Sequence, residues 1–214
     1  MYACATTLTI TRHVLKPTNR LVTLLNRRPP AALACPAKCP SLTKLVCANM
    51  AHLPSIYGLP PGLTTLDLSY CTEVRDFAPL ARCAAALRDL CLFGIQAEGW
   101  WHAKLLAAAL RSLPNLQRLD LGYAKVHASF LVSLPAVLSA LPCLQFLSLD
   151  GHQLSDTQAL AVAPALAALQ DLRQLNVRQV RRAGQGRAGF AAGGQVNMLD
   201  VAAGWRVIGQ ARAG

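Results

Sequence analysis

One short phrase, repeated at a fixed interval, limits what this chain can fold into more than any other feature. It reads L-Q-R-L-D-L-G from Leu116, L-Q-F-L-S-L-D from Leu144 and L-R-Q-L-N-V-R from Leu172, at intervals of 28 residues. A period between about 20 and 50 residues marks a repeat architecture. The spelling L-x-x-L-x-L predicts a short strand whose alternate residues face opposite ways. Leu119 and Leu121 then turn into a core while Arg118, Asp120 and Gly122 turn outward.

The same division sets Leu147 and Leu149 against Phe146, Ser148 and Asp150, and Leu175 and Val177 against Gln174, Asn176 and Arg178. Helix-period runs lie between the strands. Leu131, Leu134, Leu138 and Leu141 form one, and Ser155-Asp156-Thr157-Gln158 spells a capping box ahead of Leu160 and Leu169. One strand and one helix cannot bury an apolar face alone, so neighbouring units must stack.

Upstream the phrase recurs at Leu87, at Leu63 and, degraded, at Leu42, with intervals of 29, 24 and 21 residues down the chain. On these residues the chain resembles leucine-rich-repeat proteins over about residues 42 to 180. Its 28-residue units are similar to the ribonuclease-inhibitor subtype. L-T-T-L-D-L-S-Y-C from Leu63 looks like the cysteine-containing subtype, and Leu59 to Leu63 like a shorter type with an extended convex side. The resemblance implies an α/β fold, a leucine-rich-repeat solenoid or horseshoe with a parallel concave sheet and convex helices. The family's ninth position usually carries Asn or Cys to satisfy the turn after the strand. Here that column holds Met50, Cys71, Ile95, Ala124, His152 and Val180, so only Cys71 fits well, with His152 as a substitute.

Three regions follow: a basic segment 1–41, a solenoid of about six units over 42–180, and a Gly/Arg-rich tail 181–214. With 53% apolar residues the chain has enough for a core, and no apolar run approaches the roughly 18 residues of a membrane span. Eight cysteines and no secretory h-region point to free thiols in a reducing compartment. The net charge of +11 is unevenly placed. Residues 1–62 hold seven Lys or Arg and no acid, 63–172 seven basic against nine acidic, and 173–214 seven against one. The repeat body itself does not favour polyanions.

The acid-free, Thr- and Arg-rich start resembles an organelle transit peptide; a basic lead-in or a cap, with a short helix at Leu21 to Leu25 over the first repeat's edge, is the alternative. On the convex side, prolines make 50–62 extended. Asp76 is placed to cap a helix from Phe77 to Leu87, and Trp100 to Leu113 reads as another helix. Pro135 and Pro164 are each expected to kink or restart theirs. Beyond Val180, eight of 14 glycines predict a flexible tail. Either Val196 to Ile208 caps the last unit or the chain stops short of a longer array.

Motifs for catalysis are weak. Cys35, Cys39, Cys47 and His52 have only one spacing that suits structural zinc. Asp67 and Asp120 stand two strands apart, roughly 10 Å, near the upper limit for an inverting carboxylate pair, with Cys91 between them. No phosphate loop is present, and no cofactor is implied. The outward strand positions form a better site: Asp67, Tyr70, Asp89, Phe93, Arg118, Asp120, Tyr123, Phe146, Asp150 and Arg178. Aromatics turned to solvent beside Arg and Asp have the composition of a protein interface.

The expected function is a non-enzymatic scaffold that binds a partner protein on the concave face, in the cytoplasm, with cytoskeletal or axonemal roles among those the resemblance implies. The rival is a nucleic-acid or anionic-surface binder acting through the basic ends, through Arg181, Arg182 and Arg187 in the tail.

Overall fold

The computed structural model describes residues 7–9, 41–50, 53, 56–152 and 154–177. Seven three-residue strands form one parallel sheet: β1 (Thr7–Thr9), β2 (Lys44–Val46), β3 (Thr65–Asp67), β4 (Asp89–Cys91), β6 (Arg118–Asp120), β8 (Phe146–Ser148) and β9 (Gln174–Asn176). Two further strands, β5 (Gln96–Ala97) and β7 (Lys125–Val126), pair with each other in a small second sheet. Helices α1 (Trp100–Arg111), α2 (Ala128–Ser139) and α3 (Asp156–Ala167) pack side by side, and a 3₁₀ helix at Ala78–Cys83 packs against α1. Together they are a leucine-rich-repeat solenoid, strands on one side and helices on the other.

Register follows from the phrase. Leu45, Leu66, Leu90, Leu119, Leu147 and Leu175 stand opposite one another across the sheet and are fully or almost fully buried. Two parallel rows are buried with them, the opening leucines from Leu42 to Leu172 and the row Cys47, Leu68, Leu92, Leu121 and Leu149. Three buried aliphatic side chains contribute roughly 5–9 kcal/mol per unit at about 1.5–3 kcal/mol each. That sum sets the scale for local costs elsewhere in the unit.

The sheet begins upstream of the boundary expected at residue 42, because β1 pairs with β2 and places Thr7 opposite Lys44. The edge of the first repeat is therefore met by a strand. The expected helix at Leu21 to Leu25, the rest of the basic lead-in, the Gly/Arg tail, and Cys35, Cys39 and His52 of the zinc reading lie outside the described residues.

The convex side varies with unit length. In the 24-residue unit from Leu63, the helix expected from Phe77 to Leu87 is instead 3₁₀ and spans only Ala78–Cys83. Four fewer residues leave no room for a 12-residue α-helix, and the 3₁₀ form covers more length per residue, about 2.0 against 1.5 Å. Asp76 still serves its start, its Oδ1 accepting from Ala78 N at 2.9 Å. The unit from Leu42 has no helix among its described residues; Leu53, Ile56 and Leu59 fill the core from irregular backbone.

Neither α2 nor α3 restarts at its proline, and both run unbroken for 12 residues through Pro135 and Pro164. A mid-helix proline costs about 3 kcal/mol, less than the burial of Phe130, Leu131, Leu134, Val137 and Leu138 contributes to α2. The capping box at α3 is complete: Gln158 N donates to Ser155 Oγ at 3.2 Å, and Ser155 N donates to Gln158 Oε1 at 2.9 Å.

Candidate protein-binding face

After each strand the chain turns away at the eighth position of the unit, and there the backbone is left-handed in five successive units. The residues are Asn49, Tyr70, Gly94, Tyr123 and Gly151, with φ between 53° and 78°. Their amides continue the ladder beyond the strands. Asn49 N donates to Ser69 O, Tyr70 N to Phe93 O, Gly94 N to Gly122 O and Tyr123 N to Asp150 O, at 2.6–2.9 Å. Glycine and asparagine tolerate this conformation, whereas a tyrosine pays about 1–2 kcal/mol for it.

The two tyrosines are accommodated by the unit that follows each of them. A Cβ on Gly94 would lie 2.7 Å from the Tyr70 ring, and one on Gly151 would lie 2.8 Å from the Tyr123 ring. Between them, the Phe93 ring lies over Gly122, where a Cβ would meet it at 2.9 Å. The result is a ledge of three rings along the exit edge of the sheet. Tyr70 meets Phe93 edge-on at 5.3 Å between centroids, and Phe93 meets Tyr123 at 5.4 Å. Tyr70 and Tyr123 stay 48% and 45% exposed, and Phe93 is partly buried between them.

Asp67 and Asp120 stand at the same position of their units and do the same work. Asp67 Oδ1 accepts from Ser69 N at 2.8 Å, and Asp120 Oδ1 from Gly122 N at 2.8 Å. Both carboxylates thus brace the turn that presents the tyrosine three residues on. Between them, Cys91 Sγ lies 3.1 Å from Ser69 Oγ, and burial pushes its thiol pKa up. That burial disfavours the reactive thiolate.

On the neighbouring row, Arg118 lies 3.8 Å from Asp89 and stacks on Phe146, 4.3 Å from the ring centroid. Partial burial raises the Asp89 pKa; Arg118 and Lys44 oppose that rise, and Asp67 and Asp120 add to it. Phe146 lies on the strand face that carries Arg118 but is not turned to solvent. It is 9% exposed, flanked in register by Arg118 and Gln174, with the guanidinium over its ring. Asp150 precedes Gly151, its carbonyl accepting from Tyr123 N at 2.6 Å, and Arg178 lies outside the described residues.

The irregular ninth column is resolved in two ways. Cys71 Sγ donates to Cys47 O at 2.8 Å and His152 Nε2 to Leu121 O at 2.7 Å, each reaching the sixth position of the unit before. Where Ile95 and Ala124 occupy the column, backbone takes over: Lys125 N donates to Ile95 O and His127 N to Ala97 O, through β5 and β7. Sequence reasoning found Cys71 and His152 by their donors. It missed the left-handed column beside them, although Asn49, Gly94 and Gly151 at one position signal it.

Among the described residues, no group of three or more His, Cys, Asp or Glu is placed to hold a metal ion, and no helix is long and apolar enough to cross a membrane. No family model and no curated protein matches the chain. Among solved structures, the chain is similar to an internalin from Listeria monocytogenes strain 4b F2365, at 16% identity and a TM-score of 0.44. The likeness covers 68% of this chain and 44% of that one, so the chain spans less than half of the internalin's length.

Proposed function

We propose that this chain is a non-catalytic interaction module that holds a partner protein against its concave strands, with Tyr70, Phe93 and Tyr123 as the contact ledge and Asp67, Asp89, Arg118, Asp120 and Asp150 around it. The observation that carries the reading is the placement of two tyrosines in left-handed backbone with about half of each left in water. A chain built only to fold would do better with Gly or Asn there, as it has at Asn49, Gly94 and Gly151. Rings kept at a folding cost, adjacent and half exposed, are suited to burial by a partner. The two carboxylates that the sequence offered for catalysis each accept a turn amide through Oδ1, which supports a structural part for them. Free thiols among the described residues fit a reducing compartment, and the cytoplasm is the proposed location.

The test is affinity purification from the native cell, with and without nuclease, of the full chain beside a Tyr70→Asn, Phe93→Ala double variant whose fold is checked by circular dichroism. Specific proteins lost from the variant alone support the ledge. Equal recovery from both baits, abolished by nuclease or by salt, would transfer the function to the basic ends.

A further inference from the structure

The ledge contains the same small constellation twice. In the unit from Leu63 it is Asp67 and Tyr70, and in the unit from Leu116 it is Asp120 and Tyr123. Each aspartate braces its own turn through Oδ1, each tyrosine has φ near 55°, and each ring overlies a glycine of the following unit. Among the described residues, neither aspartate forms an ion pair or accepts a bond through Oδ2. Each of these units thus sets a carboxylate that is in no ion pair among the described residues three positions before a half-exposed ring.

The molecule itself shows what such a pair takes. One row away, the Arg118 guanidinium is held by the Asp89 carboxylate and stacked on the Phe146 ring. Cations are attracted to aromatic faces and to carboxylates alike, and arginine uses both at once. The repeat body from 63 to 172 is net acidic, nine against seven, in a chain that is otherwise strongly basic. Its concave strands from β3 to β8 and their exits carry four aspartates and one arginine, and that arginine is already engaged.

Spacing narrows the partner further. The two subsites are two strands apart, roughly 10 Å, with Phe93 filling the space between them. A polyproline II segment advances about 3.1 Å per residue and has three residues per turn. Residues i and i+3 of such a segment lie roughly 9 Å apart on the same side, whereas i and i+2 lie nearer 6 Å and diverge. We infer that the ledge binds an extended, polyproline-type segment of its partner carrying arginine or lysine at i and i+3, one cation on Asp67 and Tyr70 and the other on Asp120 and Tyr123. This inference rests on the concave-face reading and gives its partner a chemistry.

The experiment is calorimetric titration of the full chain with a capped peptide built around Arg-Pro-Pro-Arg, beside one built around Arg-Pro-Arg and one around Glu-Pro-Pro-Glu. Preference for the first over both others should be about tenfold or more. The Asp67→Asn, Asp120→Asn variant keeps the Oδ1 acceptors that the turns need and should lose that preference. Tyr70→Asn with Tyr123→Asn removes the rings while keeping a residue that the same column already holds at Asn49, and should lose it too. Equal affinity for the three peptides, no binding of the first, or full preference in a folded variant overturns the inference. If the peptides fail while the ring variant still loses its cellular partner, the cationic segment is wrong and the concave face stands.

Discussion

His152 donates Nε2–H to the carbonyl of Leu121 across one full coil, making the bond that Cys71 makes to Cys47 three units earlier. An imidazole and a thiol thus fill one structural office, because what the turn needs is a buried donor of the right reach. His152→Ala removes one of two donors to the Leu121 carbonyl, which keeps the bond from Ala124 N at 3.1 Å, and is expected to cost about 0.5–1.5 kcal/mol, read from chemical denaturation.

The same burial ties stability to pH. It lowers the His152 pKa from its ordinary 6.5, so on acidification the unfolded chain takes up a proton that the folded chain still refuses. The stabilisation is present above 6.5 and is lost as pH falls below it. Denaturation midpoints taken at about pH 7.5 and about pH 5.5 should therefore differ less for His152→Asn than for the wild type. An unchanged difference would mean that His152 charges freely in the fold.

Gly94 is where two demands meet, a left-handed backbone and the Tyr70 ring 2.7 Å from any added Cβ. Gly94→Ala should cost about 1–3 kcal/mol. With Tyr70→Asn in place the steric part disappears, so a double-mutant cycle should return a coupling of at least about 0.5 kcal/mol. Strict additivity would show that the ring moves aside without cost.

Phe93 and Phe146 look alike in the sequence and should behave differently. Phe146→Ala removes a nearly buried ring and is expected to cost about 3–5 kcal/mol. Phe93→Ala removes two ring contacts at the surface and should cost about 1–2 kcal/mol. Thermal or urea unfolding of the pair decides between this order and the reverse.

Burial pushes the thiol of Cys71 up to about 12 and that of Cys83 up to about 11, and raises Cys47 as well. Since the thiolate is the reactive form, these three should resist alkylation in native buffer at neutral pH and be labelled only as the chain unfolds. Time-resolved mass spectrometry checks this site by site; native labelling at the rate of a free thiol would contradict it.

The strands, their register and the row of leucines were legible because the strand phrase depends on side-chain alternation, which a sequence carries openly. The capping box at Ser155 was legible for the same reason, being local. Less visible was the shortening at Ala78–Cys83, which depends on the lengths of neighbouring units rather than on residues 77–87 themselves. Phe146 shows the limit for the candidate site. Alternation placed it on the correct face, yet its exposure depends on Arg118, a neighbour 28 residues away. The left-handed column was hidden by its two tyrosines, residues that local preference would never put there; the ladder bond and the following glycine make them tolerable.

Rings that alternate with glycines also limit how an array like this grows or shrinks. Removing residues 87–115 would bring Tyr123 under Tyr70, a side chain where the ring requires none. Removing 87–143 would bring Gly151 there instead, and the join would be sterically sound. Across this stretch, duplication and loss of units are compatible with the fold two at a time. By this steric criterion the fitting unit from Tyr70 to Gly151 is a pair of coils, although the spelling repeats with every one.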